Sequence, residues 1–122
     1  MTASILTVDD SPSLRMAIRI ALTGAGYTVS EAGDGLEGLN AAKATSFDMI
    51  IADLNMPNMD GLTMIRELRK DPGNCGTPII FLTTESDESM KQQAKAAGAT
   101  GWLVKPFVPE QLIRVAKKVL GR

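Results

Sequence analysis

The chain has 122 residues, 44 % of them hydrophobic, and 13 basic against 14 acidic side chains, for a net charge of −1. That length suits one domain with its own core, and near-neutrality offers no bulk attraction to nucleic acid or a membrane surface. The absence of histidine excludes imidazole zinc sites and His-dependent triads, and the single cysteine, Cys75, excludes an internal disulfide framework.

The first apolar run, Ser4-Ile5-Leu6-Thr7-Val8, reads as a strand and stops at Asp9-Asp10. No basic leader precedes it and no apolar stretch approaches a bilayer span, so a cytoplasmic location without membrane contact is expected. Ser11-Pro12 supplies an N-cap and a proline at the first helical position, opening a helix over 13–25. Its Leu14, Ala17, Ile18, Ala21 and Leu22 fall on one apolar stripe, and Gly24 and Gly26 punctuate its end. Arg15, Met16 and Arg19 lie off that stripe, on a face expected to be solvated. A second strand begins near Tyr27 and leads through Gly33-Asp34-Gly35-Leu36-Glu37-Gly38 into a helix over 36–45. The third strand, Met49-Ile50-Ile51-Ala52, ends abruptly at Asp53. A helix over 62–70 and a turn-rich loop carrying Cys75 precede the fourth strand, which starts at Ile79 and reaches Thr83. A helix over 87–97, a strand from Gly101 to the Lys105-Pro106-Phe107 turn, and a helix over 110–120 complete the alternation.

Five strands alternating with five helices predict an α/β fold, a (βα)5 doubly wound parallel sheet with helices on both faces. In such a sheet ligands bind beyond the carboxyl ends of the strands, where the strand order reverses; for the flavodoxin-like order 2-1-3-4-5 this is between strands one and three. Those strands end in Asp9-Asp10 and in Asp53. Two unit charges about 4 Å apart repel by roughly 4 kcal/mol at an effective dielectric near 20. Three gathered carboxylates must therefore protonate or take up a cation, and a hard divalent ion is the simplest resolution.

The set Asp9-Asp10, Asp53, Thr83 and Lys105-Pro106-Phe107, each at or just past a strand end, resembles the receiver domains of two-component response regulators. The stretch Asp53-Leu54-Asn55-Met56-Pro57-Asn58-Met59-Asp60-Gly61 is similar to the free-standing chemotaxis regulators of the CheY type. The resemblance covers essentially the whole chain and implies a single receiver domain over 1–122 with no output domain. It implies that Asp53 accepts a phosphoryl group from a histidine kinase or phosphotransfer protein. It also implies a Mg²⁺ held by Asp10, Asp53 and the backbone carbonyl of Asn55, with Asp9 acting mostly through water. Thr83 and Lys105 are implied to grip the phosphoryl oxygens, Thr83 and Trp102 to form the switch, and Asn55 and Glu85 to tune dephosphorylation. Thr84 departs from the small residue usual at its position, and Lys91 and Lys95 make the fourth helix more basic than in the chemotaxis type.

The chemistry suits these residue types. A carboxylate can attack an activated phosphoryl group, and the loose transition state asks mainly for positioning and charge neutralisation. The resemblance thus implies a signalling protein without independent substrate turnover. Its changed surface of helix four, strand five and helix five would bind a protein target such as the flagellar motor switch, with no nucleic acid involved. A phosphorelay shuttle or phosphate sink is the alternative. The first helix and Phe107-Val108-Pro109 are implied to dock the phosphodonor. Three rivals fare worse. The G-x-G-x-x-G match at Gly33–Gly38 follows the second strand and contains Asp34, which would repel a pyrophosphate. A flavin phosphate would meet acid after strand one, and an aspartyl phosphatase would want an acid where Asn55 stands.

Overall fold

The computed structural model describes residues 2–53, 56, 58–84 and 88–121, the side chain of Thr84 aside. In chain order the elements are β1 (Ser4–Val8), α1 (Pro12–Gly24), β2 (Thr28–Ala32), α2 (Gly35–Ala44), β3 (Met49–Asp53), α3 (Gly61–Lys70), β4 (Ile79–Thr84), α4 (Glu88–Ala97), β5 (Gly101–Lys105) and α5 (Pro109–Leu120). The strands form one parallel sheet in the order β2-β1-β3-β4-β5, as the alternation predicts.

Helices α1, α2, α3 and α5 each begin one residue ahead of the periodicity, because the cap rather than the first apolar residue sets the start. Ser11 accepts from the Leu14 N–H, Asp34 from Glu37 and Asp60 from Thr63. Proline opens α5.

The sheet is covered on both faces. Ile5, Met49, Ile51, Ile80, Leu82 and Leu103 pack against Ile18 and Leu22 of α1 and Leu112 and Ala116 of α5. Leu6, Val8, Ile50, Ala52 and Ile79 pack on the other side against α2 and α3, through Leu39, Met64, Ile65 and Leu68. Central β3 is buried along its whole length, which is why it reads as an unbroken apolar run up to Asp53. Fully burying one such aliphatic side chain contributes about 1.5–3 kcal/mol. Helix α4 holds less: Ala94 is its buried residue, packed with Phe81.

One residue of the expected α1 stripe departs from it. Ala17 stays exposed, because α1 and α5 stand apart near the carboxyl edge and leave a groove of about 470 Å³. Leu14, Ala17 and Ala21 line one side of that groove, and Pro106, Phe107 and Leu112 the other, with Lys105 also lining it. The bond between Lys105 and Pro106 is cis. At the opposite edge of the sheet, Arg69 ties two connections together: its Nε donates to the Gly98 carbonyl between α4 and β5 at 2.9 Å, and its Nη1 to those of Asn74 and Thr77 between α3 and β4 at 2.9 and 2.7 Å. Among the described residues no helix is long and apolar enough to cross a membrane.

Candidate functional site

Parallel pairing sets Val8 against Ala52, so the Asp9-Asp10 turn and Asp53 leave adjacent strands at the same edge. One carboxylate oxygen from each of Asp9, Asp10 and Asp53 lies within 4.8 Å of the others. Asp9 is 1 % exposed and Asp53 7 %, while Asp10 is open to solvent. Lys105, at the end of β5, brings its Nζ to 3.1 Å from Asp53 Oδ1 and 4.0 Å from Asp9 Oδ2. The acid cluster and its cationic partner read from the strand ends are therefore one site.

Asp9 carries the electrostatic tension. Its Oδ1 accepts the Ser11 N–H at 2.8 Å, whereas its buried Oδ2 has no hydrogen-bond partner among the described residues. Burial pushes this carboxyl above its ordinary value; the Ser11 N–H opposes the rise, Asp53 and Asp10 add to it, and Lys105 counters it. A buried acceptor without a donor, facing two further carboxylates, suits a hard cation that takes oxygen ligands. Asp9, Asp10 and Asp53 thus fit a divalent ion such as Mg²⁺.

The other anticipated residues separate by face. The register pairs Asp53 with Leu82 and Thr84 with Lys105, while Thr83 pairs with Val104 and Phe81 with Trp102. Alternation then puts buried Thr83 on the face shared by Phe81 and Trp102, opposite the face of Asp53 and Lys105. Thr83 stands between the acid edge and the Trp102 side of the sheet. Trp102 is 45 % exposed, its ring centroid 6.2 Å from that of Phe81. Lys91 Nζ lies 5.0 Å from the centre of the same indole, and the Lys91 side chain is itself only 12 % exposed. Asn55 and Glu85 lie outside the described residues, as does the Thr84 side chain.

Arg15 was not legible as part of the site. Its Nη1 donates to the backbone carbonyl of Asp9 at 2.5 Å, and its Nε to Glu31 Oε1 at 3.2 Å; Arg19 grips the other oxygen of Glu31 at 3.0 Å. The solvated face expected for α1 is therefore half engaged in fixing the first acidic turn. The signal available was Glu31 near the end of β2, which parallel pairing places beside Thr7.

The family model for the response regulator receiver domain matches residues 5–117. The chain belongs to that family. Among solved structures, the chemotaxis response regulator CheY4 of Vibrio cholerae is 47 % identical, with a TM-score of 0.94 over 98 % of this chain and 100 % of that one. The receiver domain of sensor histidine kinase PA1611 from Pseudomonas aeruginosa PAO1, solved with magnesium in its active-site cleft, is 30 % identical with a TM-score of 0.92, both chains covered fully. Curated relatives include the transcriptional regulatory protein ResD of Bacillus subtilis, 35 % identical over 97 % of this chain and 48 % of its own length. The DNA-binding response regulator MtrA of Mycolicibacterium smegmatis is likewise 35 % identical, over 100 % of this chain and 52 % of its own. The receiver thus spans about half the length of those relatives. Receiver domains accept phosphoryl groups and signal; they are not enzymes of ordinary substrate turnover.

Proposed function

We propose that this receiver takes a phosphoryl group on Asp53 from a phosphohistidine of a kinase or phosphotransfer protein, and signals by a changed surface. The observation that carries the reading is the buried Asp53 carboxylate, 3.1 Å from Lys105 and clustered with Asp9 and Asp10 at the switch point of the sheet. An Asp53 oxygen attacks phosphorus while the P–N bond breaks, and its electron pair leaves with the imidazole, which takes up a proton. Lys105 offsets charge on the transferring oxygens, and Thr83, near the end of β4 on the other face, is assigned the neutral donor that moves toward them. A Mg²⁺ held by Asp9, Asp10, Asp53 and the Asn55 carbonyl would neutralise the phosphoryl oxygens electrostatically. Glu85 and Asn55 are assigned to the rate of phosphoryl loss.

Phosphorylation adds nearly two negative charges and three acceptors at Asp53. Thr83 moves toward them and frees space on its own face of the sheet, where Trp102 turns inward and reshapes α4, β5 and α5. The α1–α5 groove beside Lys105 is assigned to the phosphodonor, since it opens next to Asp53 and is lined by apolar side chains. Likeness to CheY4 along that whole chain favours a free-standing cytoplasmic regulator of chemotaxis that binds a motor protein. A relay shuttle or phosphate sink is the second reading, favoured by the basic Lys91 and Lys95 on the output face. The names of the MtrA relatives supply a third test, DNA binding through a further domain.

Incubation with acetyl phosphate and Mg²⁺, read by intact mass, should add one phosphate to wild type and none to Asp53→Asn. A gain in both would remove Asp53 from the role. The mass of the endogenous protein separates a free-standing receiver from a regulator of about twice the length. Pull-down of the motor switch protein before and after phosphorylation separates the chemotaxis reading from the relay.

A further inference from the structure

The segment that leaves the acid site is anchored by a part of the chain that the phosphorylation chemistry does not use. Asn58 sits in the left-handed region at φ 66°, a conformation uncommon for a residue with a side chain. Its amide Nδ2 donates to Asp34 Oδ2 at 2.7 Å, and the other oxygen of Asp34 caps α2 through the Glu37 N–H at 2.8 Å. Next to this pair the Gly35 N–H donates to the Met59 carbonyl at 3.1 Å. A Cβ on Gly35 would run into that same carbonyl, so glycine is required for the approach. Asp34 is nearly buried, and its carboxyl is held below the ordinary value, first by the Glu37 N–H and then by the Asn58 amide. The Gly33-Asp34-Gly35 turn, which mimics a dinucleotide fingerprint, is in fact half of a clamp. The other half is Asn58-Met59, five residues beyond Asp53.

We propose that Asp34, Gly35 and Asn58 are positioning residues for the acidic site: by pinning the β3–α3 connection to the start of α2, they set its affinity for magnesium. The inference rests on the reading of Asp9, Asp10 and Asp53 as the ion's carboxylates. Backbone held in a sparsely populated conformation persists only where the surroundings over-determine it, and such positions cluster at functional sites. Here the over-determination is visible as a charge-assisted side-chain bond and a main-chain bond acting on neighbouring residues. Released from α2, Asn58 and Met59 would have to be ordered when the cation binds, and that ordering entropy would be taken from the affinity.

The test is calorimetric titration of magnesium chloride into wild type, Asn58→Ala and the exchange variant Asp34→Asn/Asn58→Asp, with thermal unfolding of each in chelator. Both variants keep the net charge. The exchange keeps an N-cap acceptor on residue 34 and reverses the direction of the bond to residue 58. Asn58→Ala should bind magnesium about tenfold more weakly, the lower end for groups that orient metal ligands, and the exchange should restore binding to within about twofold of wild type. Should Asn58→Ala fail to fold, Asn58→Gly keeps the left-handed backbone while losing the amide, and the same loss is expected. Unchanged affinity in a variant whose melting temperature alone has fallen would reduce the clamp to a fold element and overturn the proposal. An exchange variant as weak as Asn58→Ala would overturn it too. Wild type that takes up no magnesium would instead remove the acid site's role as a metal centre, and the clamp's with it.

Discussion

At the scale of single residues, the decisive group is Asp9, whose buried Oδ2 is left to two neighbouring acids and a lysine 4.0 Å away. An Asp9→Asn variant should melt higher than wild type in chelator, by roughly 3–5 °C for about 1 kcal/mol of relieved charge crowding. In magnesium the order should reverse, since only wild type keeps the full set of ligands; scanning calorimetry in both buffers checks it. Asp34 behaves in the opposite sense. Its lowered carboxyl contributes stability that is complete at neutral pH and is lost as pH falls through the ordinary value of 3.8 and below. Asp34→Ala should therefore flatten the acid limb of an unfolding titration followed by circular dichroism. The gathering of Asp9, Asp53 and Lys105 could be read from sequence because each lies at or just past a strand end, and strand ends share an edge. Arg15 and Asn58 could not, since their bonds to the Asp9 carbonyl and to Asp34 link positions that no period or motif relates.

At the scale of elements, the strands, the helical stretches and the Ser11-Pro12 start of α1 were legible because apolar runs and capping residues act locally, whereas the Asp34 and Asp60 caps that set the starts of α2 and α3 were not read. The groove between α1 and α5 was not, because a stripe on one helix does not say how far away its neighbour stands; exposed Ala17 is the mark of that spacing. The sheet's N-terminal edge depends on a long-range clasp instead. Arg69→Ala removes a donor from three backbone carbonyls, of which that of Asn74 keeps the Thr77 N–H, and should cost about 2–4 kcal/mol, measured as a lower urea midpoint at unchanged slope. Beside β5, Lys91 Nζ stands 5.0 Å from the centre of the Trp102 ring, whose indole is 45 % exposed and faces outward. Removing that cation, worth about 0.5–1 kcal/mol, should shift the outward population of Lys91→Ala by roughly two- to fivefold. Emission of Trp102, the one tryptophan in the chain, reports the shift before any phosphate is added.

At the scale of the molecule, the two sheet edges divide the labour. The carboxyl edge gathers three acids in a cluster that fits a divalent cation, and the amino edge is closed by hydrogen bonds from Arg69. Magnesium should thus act as a stabilising ligand, adding about 1.4 kcal/mol at ten times its dissociation constant. A melting temperature that ignores magnesium would contradict this. The division has a practical side as well. Cys75, the chain's lone and exposed thiol, lies in the connection between α3 and β4, at the amino edge. A dye or a solid support coupled through its sulfur would orient every copy alike, leaving the acids and the groove turned toward the solution and free for visitors.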